Sequence, residues 1–204
     1  MDTSLGLFLL SAAVISLTGV MIPGPMTAAT IAKGYNDKHA GAWIAAGHAV
    51  IEIPLIAAIY FGFEHFIGSP KVEMGIYLAG GLMLLYLGFR MFRATGEAPG
   101  AVGGLPASSL LTGIVITGTN PAFYIWWATL GAALVTGAAK FGLAGVILFT
   151  VVHLPCDFAW SEFLSMSTFK SRRRWTPKVR RIVFSVCALV LVGFGVWFCL
   201  SAFL

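Results

Sequence analysis

The chain has 204 residues, 58% of them hydrophobic and only 10% charged, against about 25% charged in an ordinary soluble domain. With a mean hydropathy of +0.90, this composition excludes a soluble catalytic module and reads as an all-α integral membrane protein. The formal charge of +5 lies in the connections between apolar stretches, without the aromatic stacking platform that a nucleic-acid binder uses.

A helix of about 20 apolar residues crosses the hydrocarbon core. Six such spans are predicted, at 5–22, 41–63, 74–92, 108–134, 141–164 and 182–204. The first is preceded by Asp2 instead of a basic stretch and has no small-residue cleavage site, so it reads as a spanning helix and not a signal peptide. It runs into Ile22-Pro23-Gly24-Pro25. Pro23 removes a backbone donor and stops the helix, Gly24 lets the chain swivel, and Pro25 suits the first position of a new helix. In lipid, such a break survives only against protein or a water-filled cavity. The new helix points unpaired amides and a partial positive charge back at the break, where a carboxylate can sit. The plain alternative is a proline kink with packing value only.

The second span carries Glu52 at its middle, with His48 one turn before it and Pro54 just after. A charged side chain there costs about 2.5–3.5 kcal/mol on insertion scales, so Glu52 is expected to face the bundle interior. In the third span, Gly80-Gly81 marks a close helix contact, and Arg90 and Arg93 snorkel towards the headgroups. The stretch 94–107, rich in Gly, Ala and Pro, reads as a flexible linker.

The fourth span is interrupted at Thr119-Asn120-Pro121, with Asn as a cap and Pro at the first helical position. The fifth carries His153, Pro155, Asp157 and, nearer its end, Glu162, read as interfacial. Cys156, Cys187 and Cys199 show no Cys-x-x-Cys spacing and read as small buried residues.

Side by side, the halves repeat. Each has a broken helix, then a helix with an ionisable residue two before a proline (Glu52 and Pro54; His153 and Pro155), then a helix with Leu and Gly six apart (Leu82 and Gly88; Leu189 and Gly195). Three spans per half is an odd number, so the two copies enter the membrane in opposite senses. The expected fold is one transmembrane domain over 1–204, built as two inverted three-helix repeats (1–93 and 108–204) with the first and fourth helices broken at proline. Alternate connections hold eleven Lys and Arg residues on one side of the membrane and two, Lys71 and Lys140, on the other. That bias places both termini outside a cytoplasmic membrane, with the basic run from Lys170 to Arg181 against anionic headgroups.

At Pro23-Gly24-Pro25, Gly34, Gly41, Gly47, Glu52, Leu85-Tyr86-Leu87-Gly88, Asn120-Pro121 and Trp160 the chain resembles the lysine exporter superfamily, over its whole length. The resemblance implies export of amino acids or similar small metabolites driven by a proton or ion gradient. Met26, Ala122 and Ile51 depart from common family choices of a polar residue, a basic residue and a glycine, and bear on the substrate.

The expected function is a secondary exporter with a translocation site made of Pro23, Gly24, Pro25, Glu52, Thr119, Asn120, Pro121, His153 and Asp157, needing no cofactor and no covalent chemistry. The solute carboxylate would meet the two half-helix N-termini, its amine Glu52 or Asp157, and the coupling ion would be the proton. Export of a divalent metal is the alternative, because His48 and Glu52, like His153 and Asp157, stand four apart on one helix face. A thiol–disulfide carrier would need cysteines in the broken helices, which have none, and no hydrolase motif such as Gly-x-Ser-x-Gly is present. Glycine-rich faces permit a homodimer without requiring one.

Overall fold

The computed structural model describes residues 4–62, 70–94 and 105–203, and all regular structure among them is helical. Helix α1 spans Leu5–Val20, its first turn capped by the Ser4 hydroxyl, and α2 spans Pro25–Gly34. The two meet at the Pro-Gly-Pro break with a bend of 74°. Helix α3 is Ala40–Tyr60 and α4 is Pro70–Ala94. A second break separates α5, Ser109–Gly118, from α6, Pro121–Ala139. Helix α7, Gly142–Ser171, ends in a tighter turn at Arg172–Arg174, and α8 is Pro177–Ser201, capped by Thr176.

Four of the described helices, α3, α6, α7 and α8, are long and apolar enough to cross a membrane, and the bent pair α1 and α2 makes a fifth. Both breaks fall where the prolines put them. The expected linker lies outside the described residues except for 94 and 105–107, as does residue 63 at the end of the second predicted span. Helix α7 runs well past the predicted end at 164, carrying Ser165 onto the Lys38 carbonyl in the connection between α2 and α3.

Each break is repaired locally. Thr27 Oγ1 donates to the Ile22 carbonyl across the first break. At the second, Thr119 Oγ1 donates to Val115 O and Tyr124 OH to Gly118 O, which satisfies carbonyls that lost their helical partners.

Glycines set the closest helix contacts, where no hydrophobic driving force separates helix from lipid and packing must decide. A Cβ on Gly47 would strike the Leu110 carbonyl of α5, and one on Gly113 the Ile44 carbonyl of α3. Between α4 and α8 the contacts are reciprocal. Gly88 faces Ala188 and Val192, while Gly195 faces Gly81 and Leu85. Subtracting 107 from the α8 numbers turns the first set into the second, the self-complementary pattern of a two-fold contact.

Two apolar clusters result. One joins α2, α4 and α8 through Ala29, Leu84, Met91, Ala188 and Phe198. The other joins α1, α3, α6 and α7 through Ala12, Ile56, Trp127 and Phe149. The first broken helix therefore puts one piece in each cluster. Outside them, Leu10, Leu17, Leu82, Phe89, Leu148 and Leu189 are exposed, a surface that suits lipid.

Where α2 turns into α3, the connection is tied to the second half of the chain. Lys33, counted above among the charges that orient the chain, is buried instead, its ammonium donating to the Pro106 and Ala107 carbonyls. Arg172 donates to the Tyr35 carbonyl at 2.6 Å and lies over the Phe169 ring. Glu162 accepts from the Ala42 amide and faces His39.

Candidate functional site

Four ionisable side chains meet in the interior. His48 and Glu52 come from one face of α3, His153 and Asp157 from one face of α7, each pair four residues apart. All four are buried, Glu52 at 1% exposure and Asp157 at 4%. Glu52 Oε1 is the common point, 3.0 Å from His48 Nε2 and 3.1 Å from His153 Nε2. Asp157 faces the same two nitrogens at longer range, with Oδ1 4.0 Å from His48 Nε2 and Oδ2 3.6 Å from His153 Nε2.

The far nitrogens are anchored. Ser16 Oγ donates to the Ala12 carbonyl at 2.7 Å, so it accepts at 2.6 Å from His153 Nδ1–H. His153 Nε2 is thereby aimed at Glu52 Oε1. His48 Nδ1 pairs with Thr117 Oγ1 at 2.8 Å. Aromatic rings close the walls. Trp126 stacks on the His153 ring, Trp127 and Phe149 pack against it, and Phe123 stands edge-on to His48. Trp127 begins a single π turn, Trp127–Gly131, whose wider spacing accommodates its indole against Gly131.

Beside the quartet is a cavity of about 180 Å³, smaller than the ~300–1,000 Å³ of sites for drug-sized ligands. Glu52 Oε2, Asp157 Oδ2, Thr30 Oγ1 and Trp160 Nε1 are buried without a hydrogen-bond partner among the described residues, and all four residues line it. Gly24, Pro25 and Met26 line it too, and no side chain among the described residues caps α2, so its first-turn amides point back at the break. Helix α6 differs, because Asn120 Oδ1 accepts from the Ala122 amide at 3.2 Å and occupies its own helix terminus.

Seven of the residues singled out in the sequence, Pro23, Gly24, Pro25, Glu52, Asn120, His153 and Asp157, share this cavity, and His48 joins them. Thr119 and Pro121 do not line it. The Thr119 hydroxyl turns back on α5, and the Pro121 ring lies against Gly80 of α4. Ser16, Trp126 and Trp127 were not foreseen. Their only sequence signal is a lone hydroxyl in an apolar run and a tryptophan pair shortly after the second break.

Residues 17–202 match the family described as LysE type translocator. The chain is also similar to a protein of Bacillus subtilis (strain 168) named "Putative amino acid efflux protein YcgF", 24% identical over 181 residues, 86% of this chain and 87% of that one. No solved structure matches it significantly.

Proposed function

The chain belongs to the LysE type translocator family, a multi-pass membrane transporter by that membership, and on this premise we propose that it exports amino acids or similar small metabolites across the cytoplasmic membrane, driven by the proton gradient. The observation that carries the reading is one shared cavity, walled by an uncapped half-helix N-terminus and by two buried carboxylates. An amino acid carries both complements. Its carboxylate is suited to the first-turn amides of α2, and its ammonium group to Glu52 Oε2 and Asp157 Oδ2, which accept no hydrogen bond among the described residues. Because Asn120 already caps α6, the carboxylate is assigned to α2 alone and not shared between both half-helices. The name of the Bacillus relative, an amino acid efflux protein, agrees with this class of solute.

The Glu52 and His153 contact supports the proton as the coupling ion. A bound ammonium competes for the carboxylate oxygens that otherwise share protons with the imidazoles, so solute and proton occupy the centre alternately. The six-span, two-repeat plan is part of the same proposal. It is supported by the reciprocal Gly88 and Gly195 contacts and by Helix α4, whose 25 residues rise about 37 Å at 1.5 Å each. Alternating access would rock one repeat (1–93) against the other (108–204) within one domain, with both termini outside as the charge asymmetry directs.

Counterflow into proteoliposomes of purified protein, preloaded singly with a panel of amino acids and divalent metals in separate runs, tests the reading. Exchange of one amino-acid class supports it. Exchange of metals alone would transfer the quartet to the competing function, export of a divalent ion.

A further inference from the structure

We infer that His48, Glu52, His153 and Asp157 form a binding site for a divalent transition-metal ion, which an amino-acid solute's ammonium group must displace. The site is the one described above, and only the displacement clause rests on the exporter reading. Four observations converge on it.

The donor set is right. Two imidazoles and two carboxylates suit a borderline ion such as Zn²⁺ or Co²⁺ and are a poor match for Mg²⁺ or Ca²⁺, which favour all-oxygen shells. The spacing is right as well. With bonds of about 2.0–2.2 Å, donors at the corners of a tetrahedron stand about 3.3–3.6 Å apart. The four nitrogen-to-oxygen separations here are 3.0, 3.1, 3.6 and 4.0 Å, with Asp157 facing His48 through Oδ1 and His153 through Oδ2, so they bracket that range. The donor atoms of His48, Glu52 and Asp157 already lie within 4.8 Å of one another.

The outer contacts are those a metal-binding histidine needs, with the remote ring nitrogen held so that the near one presents its lone pair. His153 meets this through Ser16, whose own proton is committed to Ala12 O, while the remote nitrogen of His48 is held by Thr117. The charge also balances. One divalent cation with two carboxylates and two neutral imidazoles is electrically neutral, whereas two buried carboxylates that each keep an oxygen without a hydrogen bond among the described residues are costly. An ion bridging α3 and α7 supplies that partner.

The test uses the full chain purified in detergent. Co²⁺ is titrated in, and the visible absorption that distinguishes tetrahedral from aqueous six-coordinate cobalt is recorded. One equivalent per chain with a tetrahedral signature is expected, weakened at least tenfold in Asp157→Asn and His153→Gln and kept in His39→Gln and Glu162→Gln, which remove the other His and Glu pair. Thermal unfolding and gel filtration of Asp157→Asn show whether it is folded, and His153→Gln supplies an independent variant. An aqueous-type spectrum, or a signature that survives both quartet variants, overturns the site. Amino-acid counterflow is then run in EDTA and in excess Zn²⁺, which is expected to slow it more than tenfold. Exchange in EDTA without any cobalt signature removes the metal site and leaves the exporter standing. A cobalt signature without amino-acid exchange keeps the metal site and removes the exporter. Exchange unaffected by bound Zn²⁺ overturns the displacement.

Discussion

Glu52 and His153 each stand two residues before the proline of their own helix, and their side chains meet at 3.1 Å in the interior. Residues at matching places in the two halves of the sequence thus face each other where α3 meets α7. A carboxylate and an imidazole are there in place of two like groups, a pairing that can share a proton.

Replacing that carboxylate tests its role in coupling. Glu52→Gln keeps the size of the side chain and a hydrogen-bonding oxygen, so the protein should still elute as a folded species. Transport driven by a pH gradient in proteoliposomes should fall to the level of protein-free vesicles. Full gradient-driven transport in this variant would take Glu52 out of the mechanism.

Ser16 is expected to matter through His153 and not through contact with a solute. Ser16→Ala strands a buried imidazole N–H, a loss of about 1–3 kcal/mol, and frees the ring to turn from Glu52. Ser16→Thr retains the hydroxyl and should restore most of the activity. Unfolding in detergent and counterflow, measured on both variants, separate this from a simple packing defect, in which threonine would do worse than alanine.

The glycine contacts make a prediction about stability alone. Gly47→Ala and Gly113→Ala push a methyl group into a facing backbone carbonyl and should each cost about 1–3 kcal/mol, the usual penalty for overpacking. Gly193→Ala, with open space around its Cβ, should be neutral or stabilise by up to about 1 kcal/mol through helix propensity. Equal losses at all three positions would show that propensity, not close approach, decides.

If the α4 and α8 contact is two-fold, Gly88→Ala and Gly195→Ala should lower the unfolding temperature by similar amounts, since each added methyl meets the same kind of neighbour at 2.8 Å, a branched aliphatic side chain. A large effect at one position and none at the other would argue against the repeat.

Orientation is checked with single cysteines in a background lacking Cys156, Cys187 and Cys199. Lys140→Cys should react with a membrane-impermeant maleimide in intact cells. Arg173→Cys should react only after permeabilisation. The reverse pattern would invert the assigned topology.

Class, helix breaks and the acidic and histidine residues were legible in the chain because each has a local cause. Apolar runs of about 20 residues need lipid, prolines cut helices wherever they fall, and an ionisable residue in an apolar run must turn inward. Even the i, i+4 pairing of His48 with Glu52 and of His153 with Asp157 is a property of one helix at a time. What joined the two pairs around Glu52 Oε1 is the approach of α3 to α7, and no local rule contains it. The same holds for Ser16, an unremarked hydroxyl until α1 lies on α7, for Thr119 and Pro121, which the second break turns away from the cavity, and for Lys33, whose charge composition assigns to the membrane surface but whose ammonium the fold ties to Pro106 and Ala107. Local stereochemistry determines where helices start, stop and carry charge. Which atoms face each other depends on how closely glycines let the helices approach, and that is decided only when the bundle closes.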